Sequence, residues 1–326
     1  MENLIHQLKS FSKQIGFALD HYSPHGVSRN QIHNLVIGGL GGSGIAGRIV
    51  KNYFSDKIDL PVEIVSDYIF PRFISSQSLV ILSSYSGNSE ETLALYAQAK
   101  EKKAKVLILT AGGQLEKLAL ADGYKVYKAE PNFEARMGLG YSLTYLLLIF
   151  FEILGQYKEA DIRKMAESVS IPENFILQSK ELVKVFQSTL DNKFIIVTDP
   201  PFEGLGIRFV QQLQENAKTE AFISVVPEAN HNTLSTYYGQ QNSNFIFLNS
   251  RSNHKTNLRF SFLKELLSSG SPILEWNTKD YTLSTLFTTL YGMDWLAMEI
   301  ASLKGADAGN SKNVIDLKNY LNKANA

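Results

Sequence analysis

The 326-residue sequence contains no cysteine, which excludes disulfides, thiol nucleophiles and thiolate metal ligands. It also shows no cluster of histidine and carboxylate residues at the spacing of metal ligands, so we expect no metal ion and no other cofactor. Lysine plus arginine and aspartate plus glutamate both total 32, which gives a formal net charge of zero. A neutral chain has no global field that attracts nucleic acid or an anionic membrane, so we expect neither as a partner.

Long hydrophobic runs are also missing. The longest, residues 145–151, is followed at once by Glu152, and it is too short to span a bilayer. The N-terminal residues lack the basic start and apolar run of a signal peptide. Instead, apolar residues recur at helical spacing from Leu4 to Leu19 and predict one amphipathic helix. We therefore expect a soluble, cytoplasmic protein.

Short apolar segments alternate with helical patterns along the whole chain. Candidate strands cover residues 34–37, 62–65, 79–82, 106–109, 124–127, 193–198, 221–226, 244–248 and 272–276. Continuously apolar strands separated by helices are typical of a parallel sheet that is covered on both faces. We predict an α/β fold with two doubly wound, mainly parallel domains, residues 1–155 and 156–326.

A loop rich in hydroxyl groups follows the third candidate strand and precedes a helix. It comprises residues 84–92, Ser-Tyr-Ser-Gly-Asn-Ser-Glu-Glu-Thr, and is called the serine loop below. The free N–H groups and the dipole of a helix start favour an anion, and added hydroxyls favour a phosphate. A capping box of Asn88 and Glu91 would explain those two residues but leaves Ser84, Ser86 and Gly87 unexplained. The loop therefore predicts a phosphate site.

An earlier glycine cluster allows three interpretations. Gly39, Gly41 and Gly44 fit the dinucleotide motif G-x-G-x-x-G, and Asp59 and Asp67 lie where its acidic residue is expected. The cluster also fits a tight turn in which backbone passes close to a helix. The third interpretation is a backbone approach to a sugar phosphate, with the serine after Gly42 pointing at the ligand. The serine loop favours the sugar phosphate, because a dinucleotide fold does not need a second hydroxyl-rich loop.

Together, residues 38–44, Gly-Gly-Leu-Gly-Gly-Ser-Gly, and the serine loop resemble the sugar isomerase (SIS) fold. More narrowly, they resemble the bifunctional phosphoglucose/phosphomannose isomerases, and matching motifs recur in order to the C-terminus. The resemblance implies interconversion of glucose 6-phosphate, mannose 6-phosphate or both with fructose 6-phosphate, through a cis-enediol, by a homodimer. It implies that phosphate is held by residues of the two loops, namely Gly42, Ser43, Ser84, Ser86 and Ser89.

Two further motifs gain a role only from this resemblance. Periodicity alone places Glu215 on the solvated side of a helix with Arg208, opposite an apolar stripe that runs from Leu205 to Ala217. The resemblance instead implies that Glu215 is the base that moves a proton between C1 and C2 of the open-chain sugar. Arg136, a cation at a helix start that the dipole disfavours, would stabilise the anionic enediolate, although Ala135 replaces the family's usual proline.

The ring-opening residues are inferred in the same way. His231 lies in a loop after a predicted strand and would pass as a surface residue; the resemblance implies that it opens the sugar ring from the neighbouring subunit. Lys318, in the last predicted helix, would assist at O1 or O5. Since the family's Asp-Pro before this helix is Asp307-Ala308 here, Lys312 is an alternative. Ser311 would be the small hydroxyl residue that lets both C2 epimers fit.

Two other classes of protein stay open on the sequence. A non-catalytic SIS-type protein that binds sugar phosphates would use the serine loop but would need neither Glu215 nor His231. A dinucleotide-dependent oxidoreductase would be built on the glycine cluster.

Overall fold

The computed structural model describes residues 1–239, 241–268 and 270–324. The helices are α1 (Glu2–Lys9), α2 (Phe11–Asp20), α3 (Gly41–Phe54), α4 (Glu90–Glu101), α5 (Gly113–Ala121), α6 (Leu139–Ile153), α7 (Glu159–Ser168), α8 (Pro172–Leu182), α9 (Glu203–Glu215), α10 (His254–Leu267), α11 (Leu283–Leu303) and α12 (Lys312–Ala324). The strands are β1 (Asn34–Gly38), β2 (Val62–Val65), β3 (Ser78–Ser83), β4 (Lys105–Thr110), β5 (Lys125–Lys128), β6 (Lys193–Thr198), β7 (Ala221–Val225), β8 (Ser243–Leu248) and β9 (Ile273–Trp276).

The strands form two parallel sheets, as predicted. The first has the order β2-β1-β3-β4-β5 and the second the order β7-β6-β8-β9. In the first sheet the chain leaves β1 for one side and returns as β3 on the other, so a crevice opens at the carboxyl ends of these two strands. The glycine cluster follows β1 and the serine loop follows β3, which brings both loops to this crevice.

All nine predicted strands are confirmed, with bounds that differ by no more than one residue. The prediction of one N-terminal helix is wrong, because α1 and α2 are separate helices that meet at Ser10. The Ser10 hydroxyl donates to the carbonyl oxygen of Gln7 at 2.7 Å. A serine that bonds a nearby carbonyl competes with the regular helix, which accounts for the break.

One continuous core joins the two sheets. Helix α6 is buried along nearly its whole length and packs beside α2 and α3, as its hydrophobic run predicts. Helix α9 packs closely on α3, and a Cβ added at Gly204 would lie 2.8 Å from the backbone nitrogen of Ile49. This close approach carries the end of α9, at Glu215, towards the loops of the first sheet. In the described part of the chain, no helix is long and apolar enough to cross a membrane.

Candidate active site

Arg136 is buried in the 3₁₀ turn Ala135–Met137, just before α6. Its guanidinium is held by two well-formed hydrogen bonds, from Nε to Asn216 Oδ1 at 3.1 Å and from Nη2 to the carbonyl oxygen of Ala308 at 3.0 Å. The remaining nitrogen, Nη1, lies 3.6 Å from Glu215 Oε2 and 3.3 Å from Glu134 Oε2. Arg136 therefore presents one fixed edge of its positive charge to Glu215.

Glu215 is the last residue of α9, and its side chain is 45% exposed. It borders a cleft of about 490 Å³ together with Arg136, Ser311 and Lys312. This cleft is called the Arg136–Glu215 cleft below. The predicted apolar stripe of α9 is confirmed as buried, but the expectation that Arg208 lies on a solvated face is wrong. Arg208 is buried because the turn that carries Arg136 and helix α11 both pack against it.

The serine loop is tied down by its own polar groups. The hydroxyls of Ser84 and Ser89 are 3.2 Å apart, and Ser84 is buried. Ser86 and Ser89 border a second cleft of about 430 Å³, called the serine-loop cleft below. Ser84 therefore contacts Ser89 from the buried side of the loop, while Ser86 and Ser89 border open space.

The capping box considered for Asn88 is not formed. The N-cap of α4 is Ser89, and within the described residues its side chain makes no capping hydrogen bond. Asn88 Oδ1 accepts instead from the backbone N–H of Gln114, at the start of α5. The hydroxyl of Thr92 in the first turn of α4 is buried and lacks a partner among the described residues. The start of α4 thus keeps backbone donors available for an anion.

The glycine cluster forms a tight strand-to-helix turn. A Cβ on Gly44 would lie 2.4 Å from the carbonyl oxygen of Gly39. A Cβ on Gly42 would lie 2.9 Å from Arg136 Cα, so this loop packs directly on the backbone of the 3₁₀ turn Ala135–Met137, called the arginine turn below. Ser43 Oγ accepts from the N–H of Tyr85 at 2.9 Å, which links the glycine cluster to the serine loop. Asp59, considered as the acidic residue of a dinucleotide motif, is exposed and paired with Arg29.

Helix α12 borders both clefts. Lys312 and Ser311 border the Arg136–Glu215 cleft, whereas Lys318 borders the serine-loop cleft beside Ser86 and Ser89. Lys312 Nζ also donates to Asp316 Oδ2 at 2.6 Å. Six residues of helix separate the two lysines along the axis by about 9 Å, so the two clefts are neighbours under one helix.

His231 lies apart from these groups. It is exposed in the 3₁₀ turn Glu228–His231, after β7, and it borders neither cleft. The neighbouring Asn230 accepts through Oδ1 from Arg259 of α10 at 3.2 Å. The structure thus brings Arg136, Glu215, Ser311 and Lys312 together, places the serine loop next to them, and leaves His231 outside the same-chain clefts.

Sequence reasoning missed the residues that hold the arginine turn. Tyr85 donates from its hydroxyl to the carbonyl oxygen of Glu130 at 2.5 Å and accepts there from the N–H of Phe133 at 2.9 Å. Gln14 donates to the carbonyl oxygen of Met137 at 2.8 Å. Only Tyr85 carried a sequence signal, since it lies inside the serine loop. No group of three or more histidine, aspartate or glutamate residues that could hold a metal occurs in the part of the chain described here.

Solved structures share this fold at low sequence identity. The C-terminal domain of glucosamine-fructose-6-phosphate aminotransferase from Francisella tularensis superposes with a TM-score of 0.70 at 14% identity, covering 94% of this chain and 97% of its own. Glucosamine-6-phosphate deaminase from Thermotoga maritima gives a TM-score of 0.70 at 16% identity, covering 93% and 96%. Family models match as well: a SIS domain over residues 30–149 and the bacterial phospho-glucose isomerase C-terminal SIS domain over residues 179–321.

Fold and site together therefore define a protein of the SIS class, with two parallel sheets and a hydroxyl-rich loop after β3. A bifunctional phosphoglucose/phosphomannose isomerase from Caldicellulosiruptor bescii is 32% identical over 90% of this chain and 91% of its own length. One from Aquifex aeolicus is 26% identical over 89% and 90%. D-glucosamine-6-phosphate 4-epimerase from Sulfolobus acidocaldarius is 34% identical over 64% and 65%. The chain belongs to the bifunctional phosphoglucose/phosphomannose isomerase family.

Proposed function

We propose that the chain is an isomerase that interconverts glucose 6-phosphate, mannose 6-phosphate or both with fructose 6-phosphate. The observation that carries the proposal is the 3.6 Å approach of Arg136 Nη1 to Glu215 Oε2 in one cleft. A carboxylate that moves a proton next to a fixed guanidinium suits a reaction in which negative charge develops on neighbouring oxygens. The names of the similar curated proteins support the same reaction.

In this proposal, the serine-loop cleft binds the phosphate group and the Arg136–Glu215 cleft binds the reacting end of the sugar. The phosphate group binds at the serine loop through Ser86 and Ser89, with Ser43 and Ser84 orienting them, and with the backbone at Gly42 allowing a close approach. The sugar then extends along α12 towards Glu215. This arrangement fixes the position of the substrate through the phosphate, which all three hexose phosphates share. Holding the sugar in place lowers the entropic cost of reaching the transition state.

Proton transfer follows at the other end of the sugar. Glu215 takes the proton from C2 of the open-chain aldose, and the electron pair forms a cis-enediolate whose charge faces Arg136. The O2 proton passes to O1, and Glu215, whose side chain is 45% exposed and can exchange its proton with water, protonates C1. These two transfers give the ketose, so the reaction balances without a redox partner. His231 and one of the two lysines of α12, Lys318 or Lys312, assist ring opening before this step. Ser311, at the edge of the same cleft, is placed to tolerate both C2 epimers.

The test is incubation of the purified chain with fructose 6-phosphate and no added cofactor, followed by separate measurement of glucose 6-phosphate and mannose 6-phosphate. Formation of either aldose supports the isomerase. Glucose 6-phosphate alone removes the dual specificity, and no product above background removes the reaction. Glucosamine 6-phosphate is the comparison substrate, because one similar curated protein is a 4-epimerase of that sugar.

We also propose that the chain is a cytoplasmic homodimer in which each subunit supplies His231 to the other's site. The support is the exposed position of His231 outside both same-chain clefts. Two inactive variants, His231→Gln and Glu215→Gln, are mixed under conditions that exchange subunits. Half of the random dimers then contain one intact site of two, so about a quarter of wild-type activity is expected to return. Mixtures as inactive as either variant would contradict the shared site.

A further inference from the structure

A buried ion pair lies behind the Arg136–Glu215 cleft. Arg208 of α9 donates from Nε to Asp294 Oδ1 at 3.1 Å and from Nη2 to Asp294 Oδ2 at 2.9 Å. Each side chain is only 2% exposed. Desolvation of two charges cancels much of their attraction, so a buried pair is weak evidence for a purely stabilising role. A further contact of the pair suggests what else it does.

That contact is to the arginine turn. Arg208 Nη2 also donates to the carbonyl oxygen of Arg136 at 2.6 Å. Asn216, the C-cap of α9, accepts through Oδ1 from Arg136 Nε at 3.1 Å. Arg136 is therefore held at its backbone by Arg208 of α9 and at its guanidinium by the C-cap of the same helix.

Helix geometry connects these contacts to the proposed base. Arg208 and Glu215 are seven residues apart on α9, which is about 20° short of two full turns, so both project towards the arginine turn. Asp294 of α11 fixes the Arg208 guanidinium from behind with a bidentate pair, an arrangement that a lysine cannot reproduce. Helix α9 therefore both carries Glu215 and contacts the backbone of Arg136, so it helps to set the distance between the two side chains.

We propose that Arg208, oriented by Asp294, is a positioning residue that holds Arg136 at the correct distance from Glu215. The inference rests on the proposed function of that cleft. Arg208 does not touch the substrate; it acts through the carbonyl oxygen of Arg136. Its loss is expected to weaken stabilisation of the enediolate while leaving the phosphate handle at the serine loop unchanged.

The test uses the double variant Arg208→Met with Asp294→Leu, which removes both buried charges together. Apolar replacement of a whole buried pair generally preserves folding, unlike removal of one partner. We expect a melting temperature near that of the wild type, a 10- to 100-fold lower kcat, and a KM for fructose 6-phosphate within about threefold. Arg208→Lys keeps the charge but loses the bidentate geometry, so its kcat is expected to lie between those of the wild type and the double variant. This single variant replaces the double variant in the test if the double variant does not fold.

Repeating the substitution in a variant that already lacks Arg136 distinguishes a positioning role of Arg208 from a purely structural one. In an Arg136→Lys enzyme, removal of the pair is expected to cost little more, because Arg208 acts through Arg136 and the two losses are not additive. A folded double variant with wild-type kcat would overturn the proposal. Full additivity in the Arg136→Lys background would also overturn it.

A binding measurement keeps this inference separate from the isomerase proposal. Arabinonate 5-phosphate carries a carboxylate where the enediolate charge would develop, and inorganic phosphate probes the serine loop alone. Loss of affinity for arabinonate 5-phosphate with unchanged affinity for inorganic phosphate supports the positioning role, even in a chain that does not turn over fructose 6-phosphate. Equal affinity of wild type and double variant for arabinonate 5-phosphate would contradict it.

Discussion

At the scale of single residues, the two central charges have opposite environments. Arg136 is almost fully buried and its guanidinium is held by hydrogen bonds to Asn216 and Ala308, whereas the Glu215 side chain is 45% exposed. A fixed guanidinium costs little reorganisation when charge develops beside it. A partly exposed carboxylate can still move between C1 and C2 and exchange its proton with water. This contrast fits the proposed roles of Arg136 as an electrostatic stabiliser and of Glu215 as a base.

The two candidate lysines of α12 are expected to differ in their kinetic effects. Lys318 borders the serine-loop cleft, so Lys318→Met should mainly raise KM, by about tenfold, through lost attraction to the phosphate. Lys312 borders the Arg136–Glu215 cleft, so Lys312→Met should mainly lower kcat. Steady-state kinetics with fructose 6-phosphate distinguish them, with Lys323→Met, an exposed change in the same helix, as the control. A fall in kcat for Lys318→Met at unchanged KM would instead identify Lys318 as the ring-opening residue.

The serine loop was predicted from its local pattern, whereas Arg136 and Glu215 were singled out only through the family resemblance. The structure brings Arg136 and Glu215 into one cleft, and the roles of these residues stay predictions. The prediction that Arg208 is solvated was wrong, because helical periodicity identifies only the apolar packing face of α9. It carries no information about Asp294, which lies 86 residues away in the sequence. Contacts between distant segments leave no local periodic signal, so Gln14 and the Arg208–Asp294 pair could only be seen in the folded chain.

At the scale of elements, the strand-to-helix turns set the geometry of the site. The turn into α3 packs on the arginine turn at Gly42. The serine loop binds the residues just before that turn, because the Tyr85 hydroxyl accepts from the N–H of Phe133. Backbone packing of this kind leaves no room for a side chain. Glycine at position 42 is therefore explained by its contact with the arginine turn as well as by the close approach proposed for a phosphate.

A matched pair of glycine substitutions tests this contact. Gly42→Ala places a Cβ 2.9 Å from Arg136 Cα, so it should destabilise the chain by about 1–3 kcal/mol and lower turnover. Gly16→Ala in α2 meets no atom within 4 Å, so it should stabilise by about 0.5–1 kcal/mol with unchanged turnover. Urea unfolding and kinetics provide both readouts. Wild-type activity in Gly42→Ala would argue against a tight contact between the two loops.

The elements themselves were largely predictable. Buried parallel strands are short apolar runs bounded by turns, which is why all nine were found close to their true bounds. The N-terminal break was not, because Ser10 is compatible with a helix and ends it only through its bond to the Gln7 carbonyl oxygen. The division of the chain at residue 155 stays a prediction.

At the scale of the whole molecule, a partly buried polar cluster lies outside the site and links three segments. Glu152 of α6 accepts from the Tyr22 hydroxyl at 2.5 Å and from the N–H groups of His25 and Gly26. The His25 side chain is fully buried, and its Nδ1 accepts from the N–H of Val27 at 3.0 Å. These bonds fasten the connection between α2 and β1 to the central helix α6.

This cluster predicts a loss of stability in acid. Burial lowers the pKa of His25, although the nearby Glu152 opposes the shift. Burial raises the pKa of Glu152, but hydrogen bonds from Tyr22, Gly26 and His25 more than offset this and hold its pKa below the usual range. In both cases the unfolded chain binds the proton more readily, so stability is expected to fall as pH drops below the ordinary histidine pKa, and further below that of glutamate.

Urea unfolding between pH 7.5 and 5.5 checks the histidine contribution. The wild-type midpoint should decrease with acidification, and His25→Gln should decrease less because the group that resists protonation is gone. His33→Gln, at an exposed position, should follow the wild type. A His25→Gln slope equal to that of the wild type would assign the acid sensitivity to other groups.

In the proposed mechanism, Glu215 moves a proton through an enediolate that Arg136 stabilises. The most direct test of this mechanism is conversion of fructose 6-phosphate in heavy water, with deuterium at C2 of the aldose measured by nuclear magnetic resonance. The wild type should incorporate solvent deuterium, Glu215→Gln should lose both exchange and turnover by a factor of about 10² or more, and Glu134→Gln, which removes the other carboxylate near Arg136, should retain them. Conversion without deuterium in the wild type, or wild-type exchange in Glu215→Gln, would contradict the account.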